Sequence, residues 1–177
     1  MTPTRDPRTP SKSRSRGTSR HSRARLAAIQ ALYQSAMTGT PPSVVIDEFL
    51  RHRLMDTDNE AGEGGKLNEA LFAELVKGAS ARLDETDRKI ENALPSSWDG
   101  DRLEVVLRCL LRSAAYELMT RYETPAAVVI SEYVRLAHRF FSEGEPAFAN
   151  GVLDRLARDL RPGELEARGS AAGDATG

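Results

Sequence analysis

The chain has 177 residues, with 25 Lys and Arg against 26 Asp and Glu, a formal charge of −1, and an apolar share of 40%. That length and share suit one domain, or a small domain with tails, around one core. A single cysteine, Cys109, excludes an intrachain disulfide framework and a multi-cysteine zinc site and fits a reducing cytosol, and no apolar run approaches the roughly 18 residues of a membrane span, so the chain reads as soluble.

In chain order, the first segment overturns what the total charge suggests. Met1 to Arg25 holds Arg5, Arg8, Lys12, Arg14, Arg16, Arg20, Arg23 and Arg25 against Asp6 alone, a net +7, and the remainder carries −8. This is a basic arm on an acidic body, a split that suits two partners of opposite character. Residues 1 to 21 are rich in Pro, Ser and Thr with no apolar period, so they are expected to be disordered when free. A Ser- and Arg-rich, acid-poor start also matches an organelle transit peptide, whereas the missing apolar segment excludes a secretory signal.

Helical spacing then begins. Leu26, Ile29, Tyr33 and Met37 predict a first helix near Ser22 to Met37, before the breaker at Thr38 to Pro42. Ser43 to Arg53 follows as a short helix with Val45, Phe49 and His52 on its apolar side. Asp56 to Gly65 is an acidic, glycine-rich loop. From Lys66 to Leu94 the pattern supports one bent helix or two, weakened at Gly78 and at Asp84 to Asp87.

Asp101 is placed to cap the next helix, whose wide stripe runs Leu103, Val106, Leu107, Leu110, Leu111, Ala114, Leu118 and Met119. Thr124-Pro125 predicts a further start, with Thr as cap and Pro at the first helical position. Val129, Ile130, Tyr133, Leu136, Ala137 and Phe140 line that helix. Pro146 opens the last one, which runs to about Leu160 and stops at Arg161-Pro162, leaving residues 163 to 177 as a second disordered tail. No long period-two alternation is present, so the fold is expected to be all-α, a bundle of six to seven helices within residues 22 to 162.

Catalytic and metal chemistry finds no pattern. His21, His52 and His138 lie in different elements without the i, i+4 spacing of a helical metal pair. Gly62 to Lys66 lacks the preceding strand, the spacing and the Ser or Thr of a phosphate loop. Cys109 falls within an apolar stripe and reads as a small buried hydrophobe. No enzyme activity, cofactor or metal is expected.

The basic arm carries the functional reading instead. In a helical continuation, Arg16, Arg20 and Arg23 fall at i, i+4 and i+7 on one face, while Leu26, Ile29 and Tyr33 fall on the core side. Guanidinium forks suit phosphate because they donate paired hydrogen bonds and also stack on bases. Tyr33 lies within about 80° of that edge, close enough to offer its ring to an unstacked base, and Arg108 and Arg112 lie one turn apart on a later helix, able to extend the basic track.

These residues also form blocks. Ser22-Arg23-Ala24-Arg25-Leu26-Ala27-Ala28-Ile29-Gln30-Ala31-Leu32-Tyr33 resembles the opening R-x-x-A-x-Q-A-L-Y of the NusB family of bacterial transcription antitermination factors. Leu111 to Leu118 is similar to its L-R-x-A-x-Y-E-L, Phe148 to Arg155 to its F-V-N-G-V-L-D-K, and Thr124-Pro125 with Val129 to Ala137 to a fourth block. Together they cover about residues 20 to 162. Ser131 stands where the family usually has Asn, Gly144 interrupts the family's usual turn before Phe148, and Asp56 to Gly65 lengthens a linker.

The resemblance implies two small helical subdomains, no catalysis, and binding of the boxA element of ribosomal RNA leader transcripts. It further implies a heterodimer with the small-subunit ribosomal protein that acts as NusE, joining the RNA polymerase antitermination complex in the cytoplasm. Carried over to this chain, the RNA contacts fall on Arg20, Arg23, Arg25, Gln30, Tyr33 and Arg112, with Arg16 added from the arm, and the partner contacts on Phe148 and Asn150. Two other readings stay open at this point: a relative of the ribosomal RNA cytosine methyltransferases that carry a NusB-like domain, and a helical protein-interaction module with an incidental basic tail.

Overall fold

A computed structural model describes residues 19–55, 66–98 and 103–166, which form seven α-helices and no strand among the described residues. Arg16, Asp101 and the Asp56 to Gly65 loop lie outside them.

Helix α1, Arg20–Thr38, starts two residues earlier than its apolar period indicates, because Ser19 caps it: the Ser22 amide donates to Ser19 Oγ at 3.1 Å. It ends at Gly39, whose φ of +70° is the left-handed conformation that returns an amide to Ser35 O. Helix α2, Pro42–Met55, buries Val45 and Ile46 and stacks Phe49 on Phe72 at 5.7 Å. His52 is exposed, contrary to its expected place on the apolar side. Ile46 supplies buried surface without the imidazole nitrogens that burial would leave in need of partners.

The long Lys66 to Leu94 pattern divides into α3, Glu69–Ala81, and α4, Leu83–Ala93, at Arg82. The break is not at Gly78, which lies inside α3 for a packing reason. A Cβ there would come within 2.0 Å of Tyr116 Cζ, so the missing side chain lets α3 approach α5.

Helix α5, Val105–Thr120, is the central element, packed against α1, α3, α4, α6 and α7. It begins with Glu104 at the cap position, so Leu103 is buried ahead of the helix and not within it. Helices α1 to α3 pack on one another, α4, α6 and α7 gather around the rest of α5, and the buried side chains of both groups form one continuous core.

Helix α6, Ala126–Phe140, starts one residue later than expected, with Pro125 at the cap position and no side-chain cap. The orphan amide of Ala126 donates instead to Glu164 Oε1 at 2.6 Å. Helix α7, Glu145–Leu160, begins one residue ahead of the expected Pro146, which stands at its second position.

The folded chain extends past the expected limit at residue 162. Arg161 is 4% exposed and its guanidinium donates to the carbonyls of Glu117, Leu118, Arg121 and Thr124 at 2.7 to 3.1 Å. These include carbonyls that the end of α5 leaves without helical partners, so a cation from after α7 caps α5. Leu165 packs on the core nearby, and Glu164 holds the start of α6.

Cys109 is 1% exposed, and burial pushes its thiol up to about 11, with Arg112 and Arg108 opposing the shift. The thiolate is the reactive form, so an aromatic disulfide reagent at pH 8 is expected to label native protein far more slowly than unfolded protein. Equal labelling rates in the two states would contradict this burial. The folded thiol also holds its proton more tightly than the unfolded one. Its contribution to stability is therefore intact below about pH 9 and is lost as pH rises through about 11.

Candidate RNA interface

At 100° per residue, α1 separates its polar side chains into two sets. Arg23, Leu26, Gln30, Tyr33 and Met37 fall on one side within a sector of about 100°. Along it Gln30 is exposed, Tyr33 is 41% exposed and Met37 58%. Arg23 is half-buried with a long contact to Lys66 O at 3.5 Å, and Arg20 is exposed in the first turn, where the Arg-rich arm joins the helix. An outward strip thus places two guanidinium groups, an amide and a phenol ring in succession, the set of groups that single-stranded RNA recognition uses for phosphates, base edges and stacking.

Arg25 does not belong to that strip. Two residues on from Arg23 it points about 200° away, is 4% exposed, and forms a bidentate pair with Glu117: Nε to Oε2 at 2.9 Å and Nη2 to Oε1 at 2.5 Å. Tyr133 donates to Glu117 Oε2 at 3.0 Å and shares a 2.8 Å hydrogen bond with Ser113, while Glu132 lies 3.5 Å from Arg25 Nη1. Burial alone would weaken the guanidinium's hold on its proton. The hydrogen bonds and charge of Glu117 outweigh that, and Arg25 ends above its ordinary value. Burial, then the Glu117 charge, likewise raise the Tyr133 phenol well above its usual range, so it stays a donor. Arg25 is a structural cation that ties α1 to α5 and α6, not a surface contact.

Arg112 is corrected in the same way. It donates from Nε and Nη2 to the two carboxylate oxygens of Asp87 at 2.7 and 2.6 Å, stapling α5 to α4. It lines a cavity of about 380 Å³ together with Leu32, Ser35, Ala36 and Cys109. Leu32 and Ser35 face the side of α1 away from Gln30, so Arg112 does not extend the outward strip.

Phe148 is half-buried on α7 and Asn150 is exposed. The Phe148 ring lies 4.3 Å from that of Trp98, which is 47% exposed in the connection after α4. Apolar periodicity does not single out Trp98. The signal that does is a lone tryptophan in the polar segment Pro95-Ser96-Ser97-Trp98-Asp99, outside every apolar stripe. Among the described residues no cluster of three His, Cys, Asp or Glu is arranged to hold a metal, and no helix is long and apolar enough to cross a membrane.

The described residues thus define an all-helical domain whose first helix presents an Arg, Gln and Tyr strip on its outward side. The NusB family profile matches residues 22–158, and the chain belongs to the NusB family. It is 46% identical over 138 residues to the transcription antitermination protein NusB of Novosphingobium aromaticivorans, covering 78% of this chain and 93% of that protein. The NusB of Caulobacter vibrioides is 44% identical over 138 residues, 78% and 92% of the two chains. Among solved structures, NusB of T. maritima superposes with a TM-score of 0.66 at 30% identity, over 84% of this chain and 98% of that one. A chain from the crystal structure of antitermination factors NusB and NusE in complex with double-stranded RNA gives 0.63 at 25% identity, over 78% and 96%.

Proposed function

We propose that this chain is a non-catalytic, cytoplasmic RNA-binding transcription antitermination factor that binds boxA-type RNA of ribosomal RNA leader transcripts. It acts together with a small-subunit ribosomal protein in the role of NusE, within the RNA polymerase antitermination complex. The observation that carries this reading is the outward α1 strip of exposed Arg20, Gln30 and Tyr33 with half-buried Arg23, preceded in the sequence by the basic segment that holds Arg16. The −8 charge outside the first 25 residues favours a basic protein partner, and Phe148 and Asn150 on α7 form its docking point.

The test is a titration with boxA-type and scrambled single-stranded RNA, with and without the ribosomal protein, across a range of salt. With four to six phosphates neutralised, log affinity falls against log salt with a slope of about −3 to −4, at roughly 0.7 per phosphate for single strands. Discrimination between the two RNAs is expected to be larger with the partner present. A slope near zero with boxA-type RNA would sink the reading.

A further inference from the structure

Two features of the surface outside α1 are not required by the packing of the fold. Gly151 stands in the interior of α7, although glycine is the poorest helix former after proline. Unlike Gly78 it is exposed, and nothing lies within 4 Å of where its Cβ would be, so no neighbour in the fold calls for the missing side chain. Trp98 is 47% exposed, yet it is held in place: its amide closes a turn on Pro95 O at 2.9 Å and its ring rests on Phe148.

Both features belong to one surface. Phe148 and Asn150 point about 200° apart on α7, and the exposed Ala147 and Gly151 fall in the arc between them. Helix α7 thus presents a flat strip of small residues, with the Phe148 and Trp98 rings along one edge and the Asn150 amide along the other. Further along the helix, Asp154 and Arg158 engage each other at 2.8 Å, and Arg155 reaches to Ala93 O at the end of α4, 3.5 Å away. A second backbone approaches a helix most closely where a side chain is missing. A tryptophan already fixed beside that point is the residue type that contributes most at interfaces, and it loses little freedom on docking.

The charge selects what covers the strip. Helix α4 carries four acidic side chains against two basic, and residues 142–160 carry four against two. Arg82 and Arg112 pair with two of the α4 carboxylates, and an acidic excess remains. Glu145 is one turn before Phe148. Phosphates would meet a repelling field here, whereas a basic protein is drawn to it. We propose that the Ala147 and Gly151 strip, with Trp98 and Phe148, is the docking face for a backbone segment of a basic protein, which lies flush over Gly151 and sets an apolar side chain against the Trp98 ring. This rests on the proposed docking of a ribosomal protein at Phe148 and Asn150, and it adds Trp98 as the anchor and Gly151 as the point of closest approach.

The experiment compares the full-length chain with Gly151→Ala and Trp98→Ala. Each is titrated with the purified ribosomal protein and, separately, with a boxA-type oligonucleotide, then melted and sedimented alone. Gly151→Ala is expected to melt at or above the wild-type temperature, because alanine favours the helix and its methyl group has room. It should nevertheless bind the ribosomal protein about tenfold more weakly, since that methyl group holds the partner off. Trp98→Ala should lose about ten- to thirtyfold, and both variants should keep the wild-type affinity for RNA alone. A residue of purely structural role would not move stability and affinity in opposite directions. Should Trp98→Ala fail to fold, Gly151→Gln, which projects from the same open position, takes its place. Wild-type affinity for the ribosomal protein in either variant overturns the docking face and leaves the ribosomal-protein reading standing, whereas a wild type that does not bind that protein overturns both. RNA affinity lost with protein affinity intact assigns the strip to nucleic acid, and a wild-type dimer that the variants dissolve assigns it to a second copy. Each of these results also overturns the proposal.

Discussion

Replacing Glu117 with alanine is expected to destabilise the fold by about 3–5 kcal/mol, the usual cost of removing one member of a buried ion pair. Glu117 is 0% exposed and accepts from Arg25 at both oxygens and from Tyr133 at one, so its loss leaves a guanidinium and a phenol buried without their acceptor. Arg25→Ala is expected to do the same from the other side. The double substitution Arg25→Met/Glu117→Leu, which leaves no charge behind, should cost less than either single change. Urea denaturation reads the effect. Measured where each variant is folded, RNA affinity should stay near the wild-type value, since neither side chain reaches the surface. An Arg25→Ala protein of normal stability that binds RNA more weakly would return Arg25 to the interface.

Tyr33→Ala is expected to behave in the opposite manner. Its ring is 41% exposed on the outward side of α1, so removal should change stability by within about 0.5 kcal/mol. As a base-stacking platform it should cost about 1–3 kcal/mol of RNA binding, with Tyr33→Phe retaining most of the affinity because the π-face is preserved. Parallel losses of melting temperature and affinity would make Tyr33 a packing residue instead. The two experiments together separate the arginine that organises α1 from the ring that α1 presents.

The helices were legible because their signals are local. The period of Leu26, Ile29, Tyr33 and Met37, the breaker at Thr38 to Pro42 and the proline near the start of the last helix each act within a few residues, and the starts found at Arg20, Ala126 and Glu145 shift by one or two positions only. The outward strip of α1 was partly legible for the same reason, since Arg20, Arg23, Gln30 and Tyr33 belong to one helix. Glu117 carries a signal of its own: a carboxylate at i+3 from Ala114 and i+7 from Leu110 lies on the apolar stripe, and such a group calls for a buried cation.

What the sequence determined by itself is therefore the all-helical class, the charge of the basic arm and the family, whereas Tyr33, expected on the core side of α1, is exposed. What only the tertiary structure decided is which arginines are able to meet a ligand. Arg25, Arg112 and Arg161 look like surface cations in a linear reading, yet their partners lie 92, 25 and about 40 residues away along the chain. A charge taken out of water must be paired, and the pairing partner is supplied by whichever helix packs opposite. That choice depends on how α5, α4 and the segment after α7 come together, and so does the approach of α6 to the start of α1.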